Sequence, residues 1–153
     1  MKKVKRTKNT GAVNSKKKKI DGIEFSSLLE AYCYTRLKEE GLEFEYEPAP
    51  FKLVNSMRYD GQIYKNVPKT AGLVDATGKL IRDITYTPDF LSEKHNFVIE
   101  TKGFVPSQHT FHLRWKLFLH YLQSSGKNYS LFLPRNKAQV DEAIKIIKNA
   151  IQD

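Results

Sequence analysis

The sequence predicts an α/β sandwich with a mixed central β-sheet. Hydrophobic residues recur at helical spacing in one segment near the start and in two segments of the second half, with short apolar runs between them. In the second half the order is strand, strand, helix, strand, helix, and an earlier helix precedes them. A chain of 153 residues is long enough for one hydrophobic core, so we expect a single domain.

The first ordered element is predicted to be a helix. It begins at Asp21 or Ser27 and ends at Glu40, because Gly41 is a typical helix stop. A half-buried strand follows at 42–48, where apolar and glutamate side chains alternate.

The middle of the chain is less regular. An apolar run at 51–54 is followed by a segment in which Asp60 and Gly61 predict a hairpin turn. Residues 65–80 contain one proline and two glycines, which is typical of a loop or an insertion.

The second half has clearer boundaries. We expect two strands, a helix and a third strand at Tyr86–Leu91, Phe97–Lys102, Ser107–Gln123 and 128–133. The start of the last helix is marked by Asn136 and Gln139, which are spaced as a capping box. One apolar face of this helix is predicted to pack on the sheet: Val140, Ala143, Ile144, Ile147 and Ile151.

The positive charge is concentrated at the start of the chain. Residues 1–19 contain nine Lys/Arg and no acid, whereas residues 20–153 contain 17 of each sign. We therefore expect a disordered basic tail at 1–19 and one folded domain at 20–153. The tail is typical of an arm that binds a polyanion, most simply nucleic acid, through Lys16, Lys17, Lys18 and Lys19. A tail that only aids solubility is the alternative, and a membrane-binding tail is disfavoured because no amphipathic or lipidation signal accompanies it.

The compartment is suggested by what the sequence contains. No stretch approaches the apolar length of a membrane span, and the lysine-rich start does not fit a secretory signal. The single cysteine, Cys33, lies in an apolar helical pattern and is predicted to be a buried thiol. These features favour an intracellular protein.

Three charged residues lie inside segments that otherwise look like buried strands. In a strand, side chains two apart share a face, so Glu100 and Lys102 emerge together, and Asp89 can lie beside Glu100 if the two strands pair. Two neighbouring carboxylates repel, and Mg²⁺ or Mn²⁺ would remove that conflict. A nearby lysine can orient a water and stabilise charge on a phosphate, so the pattern indicates metal-assisted phosphodiester hydrolysis. A turn aspartate with a surface Glu/Lys pair is the plain alternative.

The motif "YTPDFL…FVIETKG" resembles the core of the PD-(D/E)XK nuclease superfamily. It is particularly similar to the phage endonuclease I branch, which resolves four-way DNA junctions, and "SSLLEAYCYTRLKEEGLEFEYEP" resembles the first helix and strand of that branch. The likeness covers residues 25–50 and 85–133, and the long segment 51–84 departs from the family pattern. The resemblance implies a restriction-endonuclease-like α/β/α sandwich and a nuclease from a bacterium or a phage-infected cell.

The resemblance also implies roles for individual residues. Asp89 and Glu100 would hold the metal with the carbonyl of Thr101 as a third ligand, Lys102 would position the attacking water, and Glu30 would complete the metal site. A capping box from Ser27 to Glu30 is the structural alternative for that glutamate. Junction cleavage needs two cuts, so we expect a homodimer, with segment 51–84 as the place for any exchange of elements between subunits.

The helix after the motif presents a polar face opposite its aromatic stripe. His112 and Lys116 on this face are predicted to contact phosphates, and a solvated face is the alternative. A zinc site from His109 and His112 is weakly supported, because only two ligands are present.

Branched DNA is thus the predicted substrate, with Mg²⁺ or Mn²⁺ as the cofactor. A site-specific restriction- or transposase-type nuclease is the alternative within the superfamily. A nucleic-acid-binding module that does not cleave is the alternative outside enzymes, although it would not need Asp89, Glu100 and Lys102 together.

Overall fold

The computed structural model describes residues 17–102 and 109–152. Three helices lie at α1 (Leu28–Glu39), α2 (His109–Ser125) and α3 (Lys137–Gln152). The strands are β1 (Lys18–Ile20), β2 (Ile23–Phe25), β3 (Glu45–Tyr46), β4 (Phe51–Val54), β5 (Met57–Arg58), β6 (Tyr64–Asn66), β7 (Leu73–Asp75), β8 (Leu80–Ile81), β9 (Ile84–Tyr86), β10 (Phe90–Ser92), β11 (Phe97–Ile99) and β12 (Ser130–Phe132).

The predicted α/β class with a mixed sheet is confirmed. A four-stranded sheet has the order β12-β11-β10-β3. Strands β10 and β11 are antiparallel, as is the pair β10 and β3, whereas β11 and β12 are parallel. The crossover between the parallel strands contains α2, as parallel neighbours require.

Hydrophobic clusters cover both faces of this sheet. On one face, α1 and α3 pack against alternate strand residues such as Phe90, Phe97 and Ile99, and Cys33 is buried here as predicted. On the other face, Phe118 and Leu122 of α2 pack against Leu91, Val98 and Tyr86. The alternation of strand side chains between two apolar layers places the sheet at the centre of the core.

Local end signals position α1 where the sequence predicts. Ser27 is the N-cap, and its side chain accepts a hydrogen bond from the amide of Glu30. At the other end Gly41 has a φ of 66°, and the amide of Leu42 donates to the carbonyl of Leu37 at 3.0 Å. This is a Schellman ending, which needs a residue that tolerates positive φ.

The predicted face of α3 is largely correct. Asn136 and Gln139 form the expected cap, because Asn136 Oδ1 accepts from the Gln139 amide at 2.9 Å. Four of the five predicted face residues are buried, but Ile151, in the final turn, is 47% exposed.

The predicted limit of the basic tail at residue 19 is wrong. Lys18 and Lys19 belong to β1, which pairs with β2 across a tight turn at Asp21 and Gly22. Both turn residues have positive φ (52° and 82°), the geometry of a two-residue hairpin that Asp-Gly favours. Lys16 lies outside the described residues, so its predicted role stays a prediction.

The predicted hairpin turn at Asp60 and Gly61 is also wrong. Strand β5 pairs with β8, and β6 pairs with β7, so the chain does not reverse at 60–61. Segment 51–86, which we call the β-arm, runs outward through β4, β5 and β6 and returns through β7, β8 and β9. The segment predicted as a loop at 65–80 therefore contains the local pair β6 and β7, and it also contributes to β8, whose partner β5 is more distant in sequence.

The predicted strand Tyr86–Leu91 is divided into two. Its first residue belongs to β9, which pairs with β4, and its end belongs to β10, which pairs with β3 and β11. Pro88 lies at the break, where it has no N–H to offer either ladder. Asp89 consequently sits at the junction between the β-arm and the central sheet.

None of the helices in residues 17–102 and 109–152 has the length and apolar character needed to cross a membrane.

Candidate active site

The structure brings Asp89 and Glu100 together as the sequence predicts. Strands β10 and β11 pair with Phe90 opposite Ile99, so the next position along the ladder places Asp89 opposite Glu100. The Asp89 amide donates to Glu100 Oε2 at 3.3 Å. Both carboxylates lie at the end of the sheet where β9 enters.

The two acids share a poorly hydrated environment. Glu100 is buried with 4% of its surface exposed, and Asp89 is half-buried. Loss of hydration, and next the negative charge of Glu100, raise the pKa of Asp89 to about 7, while hydrogen bonds from Thr101 oppose the shift. Such a pair is costly without a cation, so the arrangement is suited to positive charge.

Each acid accepts a hydrogen bond from a hydroxyl group. The Tyr86 hydroxyl donates to Glu100 Oε2 at 2.7 Å, and the Thr101 hydroxyl donates to Asp89 Oδ2 at 2.6 Å. The Tyr46 hydroxyl donates to Glu30 Oε2 at 3.0 Å. These bonds fix the orientation of the carboxylates, as outer-shell donors do around metal ligands.

The position of Glu30 combines its two predicted roles. Its Oε1 accepts from the Ser27 hydroxyl at 3.0 Å, and its Oε2 accepts from the Ser26 amide at 3.2 Å, as in a capping arrangement. Through Tyr46 it also adjoins β10, and its negative charge contributes to the raised pKa of Asp89. Glu30 therefore lies beside the acidic pair while it caps α1.

Lys102 lies on the same face as Glu100, as the two-residue spacing predicts. Its Nζ is 2.5 Å from Glu100 Oε1, and its side chain is 23% exposed against 5% for the glutamate. The ammonium also lies over the ring of Phe111, 4.1 Å from the centroid. A buried carboxylate and an aromatic face thus hold the lysine at the edge of solvent.

The donor atoms fit a hard divalent cation. Within residues 17–102 and 109–152 no group of three His, Cys, Asp or Glu side chains is arranged to hold a metal. Mg²⁺, however, is commonly held by one or two carboxylates with several waters. Asp89 and Glu100 provide the carboxylates, and among the described residues Asp89 Oδ1 accepts no hydrogen bond, since Thr101 binds only Oδ2.

Two prolines leave backbone oxygen atoms beside these acids. Pro88 lies two residues before the paired part of β10, and Pro134 follows the parallel strand β12, where its carbonyl accepts from the Lys102 amide at 2.9 Å. Neither proline has an N–H, so neither can bond to the carbonyls of Glu100 and Thr101. The predicted use of the Thr101 carbonyl as a ligand is compatible with this arrangement.

A cleft of about 370 Å³ opens over Glu100 and Lys102. Its lining is formed by β9, its following residues, the end of β11 and the start of α2: Thr85, Tyr86, Thr87, Glu100, Lys102, Thr110, Phe111 and Arg114. The exposed Arg114 has no carboxylate within 4.0 Å among the described residues. The cleft therefore presents positive charge next to the acids.

The other predicted nucleic-acid contacts lie outside this lining. His112 and Lys116 are exposed on α2 but do not line the cleft. Lys17 forms an exposed ion pair with Glu24 at 2.8 Å. The side chain of His109 lies outside the described part, so the zinc alternative gains no support.

Several residues of the site were missed by the sequence analysis. Tyr86 and Tyr46 each contact an acid, and Phe111 covers Lys102. From sequence, Phe111 belongs to the aromatic stripe of α2, and nothing in that pattern indicates a contact with Lys102. The one signal for Tyr86 was its position three residues before Asp89, and nothing local pairs Tyr46 with Glu30.

The raised pKa of Asp89 predicts that the metal-free protein loses stability as the pH rises. Asp89 keeps its proton to a higher pH in the folded chain than in the unfolded chain, where its pKa is about 3.9. The contribution of protonated Asp89 to the free energy of unfolding is complete below the pKa of the unfolded chain. It is lost as the pH rises through the pKa of the folded chain, about 7. In EDTA, the Tm should fall as the pH is raised from 5 to 8. Mn²⁺ should raise the Tm more at pH 8 than at pH 5.

Asp89→Asn is the control for this measurement, because its side chain cannot ionise. The variant should lose most of the fall in Tm and most of the Mn²⁺ effect. An equal pH dependence in variant and wild type would contradict the assignment to Asp89.

A family model described as "Protein of unknown function (DUF1064)" matches residues 11–130. No curated protein and no solved structure matches the chain.

Proposed function

We propose that this chain, which belongs to the DUF1064 family, is a divalent-metal-dependent endonuclease that hydrolyses DNA phosphodiester bonds. The observation that carries the proposal is the convergence of Asp89, Glu100 and Lys102 at one end of the sheet, beside an open cleft. Buried paired acids with a lysine 2.5 Å away form a site for a cation and an anionic ester together.

The acids would hold Mg²⁺ or Mn²⁺. Asp89 Oδ1, Glu100 and the Thr101 carbonyl are the proposed ligands, with Glu30 near enough to act on Asp89 by its charge. When bound, the cation would neutralise the two acids and withdraw charge from a phosphate oxygen. Tyr86 and Thr101 would keep the two carboxylates in place throughout. Tyr86 binds Glu100 Oε2, whereas Lys102 contacts Oε1, and Thr101 binds Asp89 Oδ2 and leaves Oδ1 to the cation.

Lys102 would orient the water that attacks phosphorus. Its Nζ reaches the cleft from between Glu100 and Phe111, so its direction is fixed before substrate binds. The water oxygen would form the new bond to phosphorus in line with the breaking P–O bond. The water would release a proton to solvent, and the leaving oxygen would take one up from solvent. Arg114, which also lines the cleft, would pair with a non-bridging phosphate oxygen.

Branched DNA is the proposed substrate, and the resemblance to the junction-resolving branch is its main support. The packing of helices on both sheet faces also agrees with the restriction-endonuclease-like α/β/α sandwich that this proposal requires. Such an enzyme would work inside a bacterial or phage-infected cell. A homodimer would supply the two cuts of junction resolution, and light scattering of the junction complex measures this.

A cleavage panel tests the function. Four-way junction, flap, linear duplex, single strand and duplex RNA are each incubated with Mg²⁺, Mn²⁺ or EDTA. We expect cleavage of the junction with either metal, slower cleavage of linear duplex, and none in EDTA.

Two other outcomes of the panel favour the alternatives. Cleavage of linear duplex at one fixed sequence would favour the restriction- or transposase-type nuclease. Binding without cleavage under every metal would contradict the proposal and favour a nucleic-acid-binding module.

A further inference from the structure

The β-arm, residues 51–86, is a two-stranded ribbon that stands apart from the core. Its base is the pair β4 and β9, which packs on α2 through contacts such as Phe51 to Phe118 at 5.0 Å between ring centroids. Beyond the base, from 55 to 83, Ala76 is the one buried residue. The outer ladders are therefore held mainly by their own pairing, and they present nearly all their side chains to solvent.

The β-arm is the basic part of an otherwise acidic domain. Residues 51–86 contain six Lys/Arg and three Asp. The rest of 20–153 contains eleven Lys/Arg and fourteen Asp/Glu. The net charge of residues 20–153 is therefore zero only because a positively charged β-arm is balanced by a negatively charged remainder.

Most of this positive charge is not neutralised within the β-arm. Lys52 pairs with Asp83 at 3.3 Å, at the base of the arm. The other five cations have no carboxylate within 4.0 Å among the described residues: Arg58, Lys65, Lys69, Lys79 and Arg82. Each is exposed, so its charge is available to a partner.

Large apolar and aromatic side chains are exposed on the same segment as these cations. The exposed set on the β-arm is Val54, Met57, Tyr59, Tyr64, Val67, Leu73, Leu80 and Ile81. Leu73, at the far end, is 69% exposed, and Leu80 directly follows Lys79. Eight exposed large apolar or aromatic side chains on one projecting segment are typical of a binding surface.

The charge distribution favours a polyanion over a second copy of the chain. A two-fold dimer through the β-arm would bring two surfaces of the same positive sign together. It would also bury lysines that have no acidic partner, which is costly and uncommon at the centre of protein interfaces. Against nucleic acid the same lysines and tyrosines bind phosphates, and apolar side chains contact base methyl groups.

The shape and location of the β-arm favour duplex DNA next to the candidate active site. The major groove of B-form DNA is about 12 Å wide and admits a two-stranded ribbon. The returning strand β9 ends at Tyr86, which binds Glu100, and Asp89 follows three residues later. A duplex held by the β-arm therefore continues towards the cleft.

We infer that the β-arm binds duplex DNA through its major groove and so presents the adjoining duplex to the cleft of Glu100 and Lys102. This inference rests on the proposed function for the role of the cleft, but binding by the β-arm does not depend on catalysis. The cations at the outer part of the arm contact phosphates on either side of the groove, and the apolar side chains face the bases.

A charge-matched pair of variants tests the inference. The arm variant is Lys65→Gln, Lys69→Gln and Lys79→Gln. The control variant is Lys94→Gln, Lys127→Gln and Lys145→Gln, which removes the same charge away from the cleft. Lys94 and Lys127 lie near the turn end of β10 and β11, where they pair with Glu43 and Glu93. Exposed lysines are chosen so that both variants keep the fold, which circular dichroism and Tm verify.

Binding is measured in EDTA by fluorescence anisotropy with a labelled 20-bp DNA duplex from 50 to 200 mM salt. The arm variant should bind at least tenfold more weakly at the lowest salt. Its slope of log affinity against log salt should fall by about 2 to 3, since each lost phosphate contact contributes about 0.9. The control variant should change the slope by less than 1. Equal slopes in the two variants would overturn the inference.

Duplex RNA of the same sequence tests whether the groove is used. The major groove of A-form RNA is deep and narrow, so the arm cannot enter it, and the two variants should bind RNA equally. An equal loss on RNA and DNA would overturn the groove-binding inference.

A further variant, Leu73→Ser with Leu80→Ser, tests whether the β-arm instead binds a second copy of the chain. If it turned a wild-type dimer into a monomer and left DNA affinity unchanged, the arm would be assigned to self-association. A different outcome would separate the inference from the proposed function. If the slope of log affinity against log salt depends on the arm but the protein cleaves nothing with Mg²⁺ or Mn²⁺, the nuclease proposal is rejected and DNA binding by the β-arm is retained.

Discussion

Replacing Asp89 by Asn is expected to abolish metal-dependent cleavage while the fold stays intact. The amide keeps the shape of the side chain and can still accept from Thr101, but it carries no charge for a divalent cation. Metal-assisted catalysis contributes several kcal/mol, and each 1.4 kcal/mol is tenfold, so we expect a loss of at least about a thousandfold in rate. Glu100→Gln should have an effect of the same order.

Single-turnover cleavage and Mn²⁺ titration calorimetry together measure this effect. Glu93→Gln is a matched control, because Glu93 follows the opposite end of β10 and binds Tyr129 at 2.6 Å. The control should cleave and bind Mn²⁺ like the wild type. Unchanged Mn²⁺ binding in both Asp89→Asn and Glu100→Gln would remove these residues from the metal site.

The elements that the sequence predicts best are those whose ends carry local signals. Helix α1 starts at the Ser27 cap and ends before Gly41, and α3 follows the Asn136 and Gln139 cap. In each case the residues that specify the boundary are within four positions of it. Such contacts form whatever the rest of the chain does, which is why sequence patterns reveal them.

The β-arm could not be predicted in the same way. Its inner ladder joins residues such as Phe51 and Tyr86, which are far apart in sequence, so no single short turn signal predicts their pairing. The Asp-Gly signal is identical at 21–22 and 60–61, but only the first turn is flanked by strands that pair. A two-residue signal specifies a local reversal, and the pairing of the flanking strands decides whether a hairpin forms.

In the candidate site, too, contacts between sequence neighbours were predictable and contacts between distant segments were not. The approach of Asp89 to Glu100 follows from a short turn between antiparallel strands, so spacing along the sequence was sufficient. The two tyrosine hydroxyl groups on the acids come from β3 and β9, whose positions depend on the complete sheet. The contact of Lys102 with Phe111 depends on how α2 crosses the sheet, and no spacing rule gives that.

Replacing Lys102 by Met is expected to remove most of the cleavage rate but keep metal binding. Methionine preserves the length and the packing on Phe111, and it removes the charge that would orient the attacking water. Loss of such a group costs about a hundredfold to ten-thousandfold. Mn²⁺ should bind at least as tightly as to the wild type, because the lysine that lies 2.5 Å from Glu100 Oε1 no longer competes for that oxygen.

This combination distinguishes a catalytic lysine from one that only pairs with Glu100. A purely structural ion pair would leave the rate of the metal-bound protein within about threefold of wild type once Mn²⁺ compensates the buried acid. In EDTA the variant should have a lower Tm, since Glu100 is then a buried charge without its partner, and Mn²⁺ should restore it. Lys94→Met, at the exposed far end of the strands, is the control and should change neither quantity. A metal-restored Tm with a near wild-type rate would show that Lys102 stabilises the site without taking part in hydrolysis.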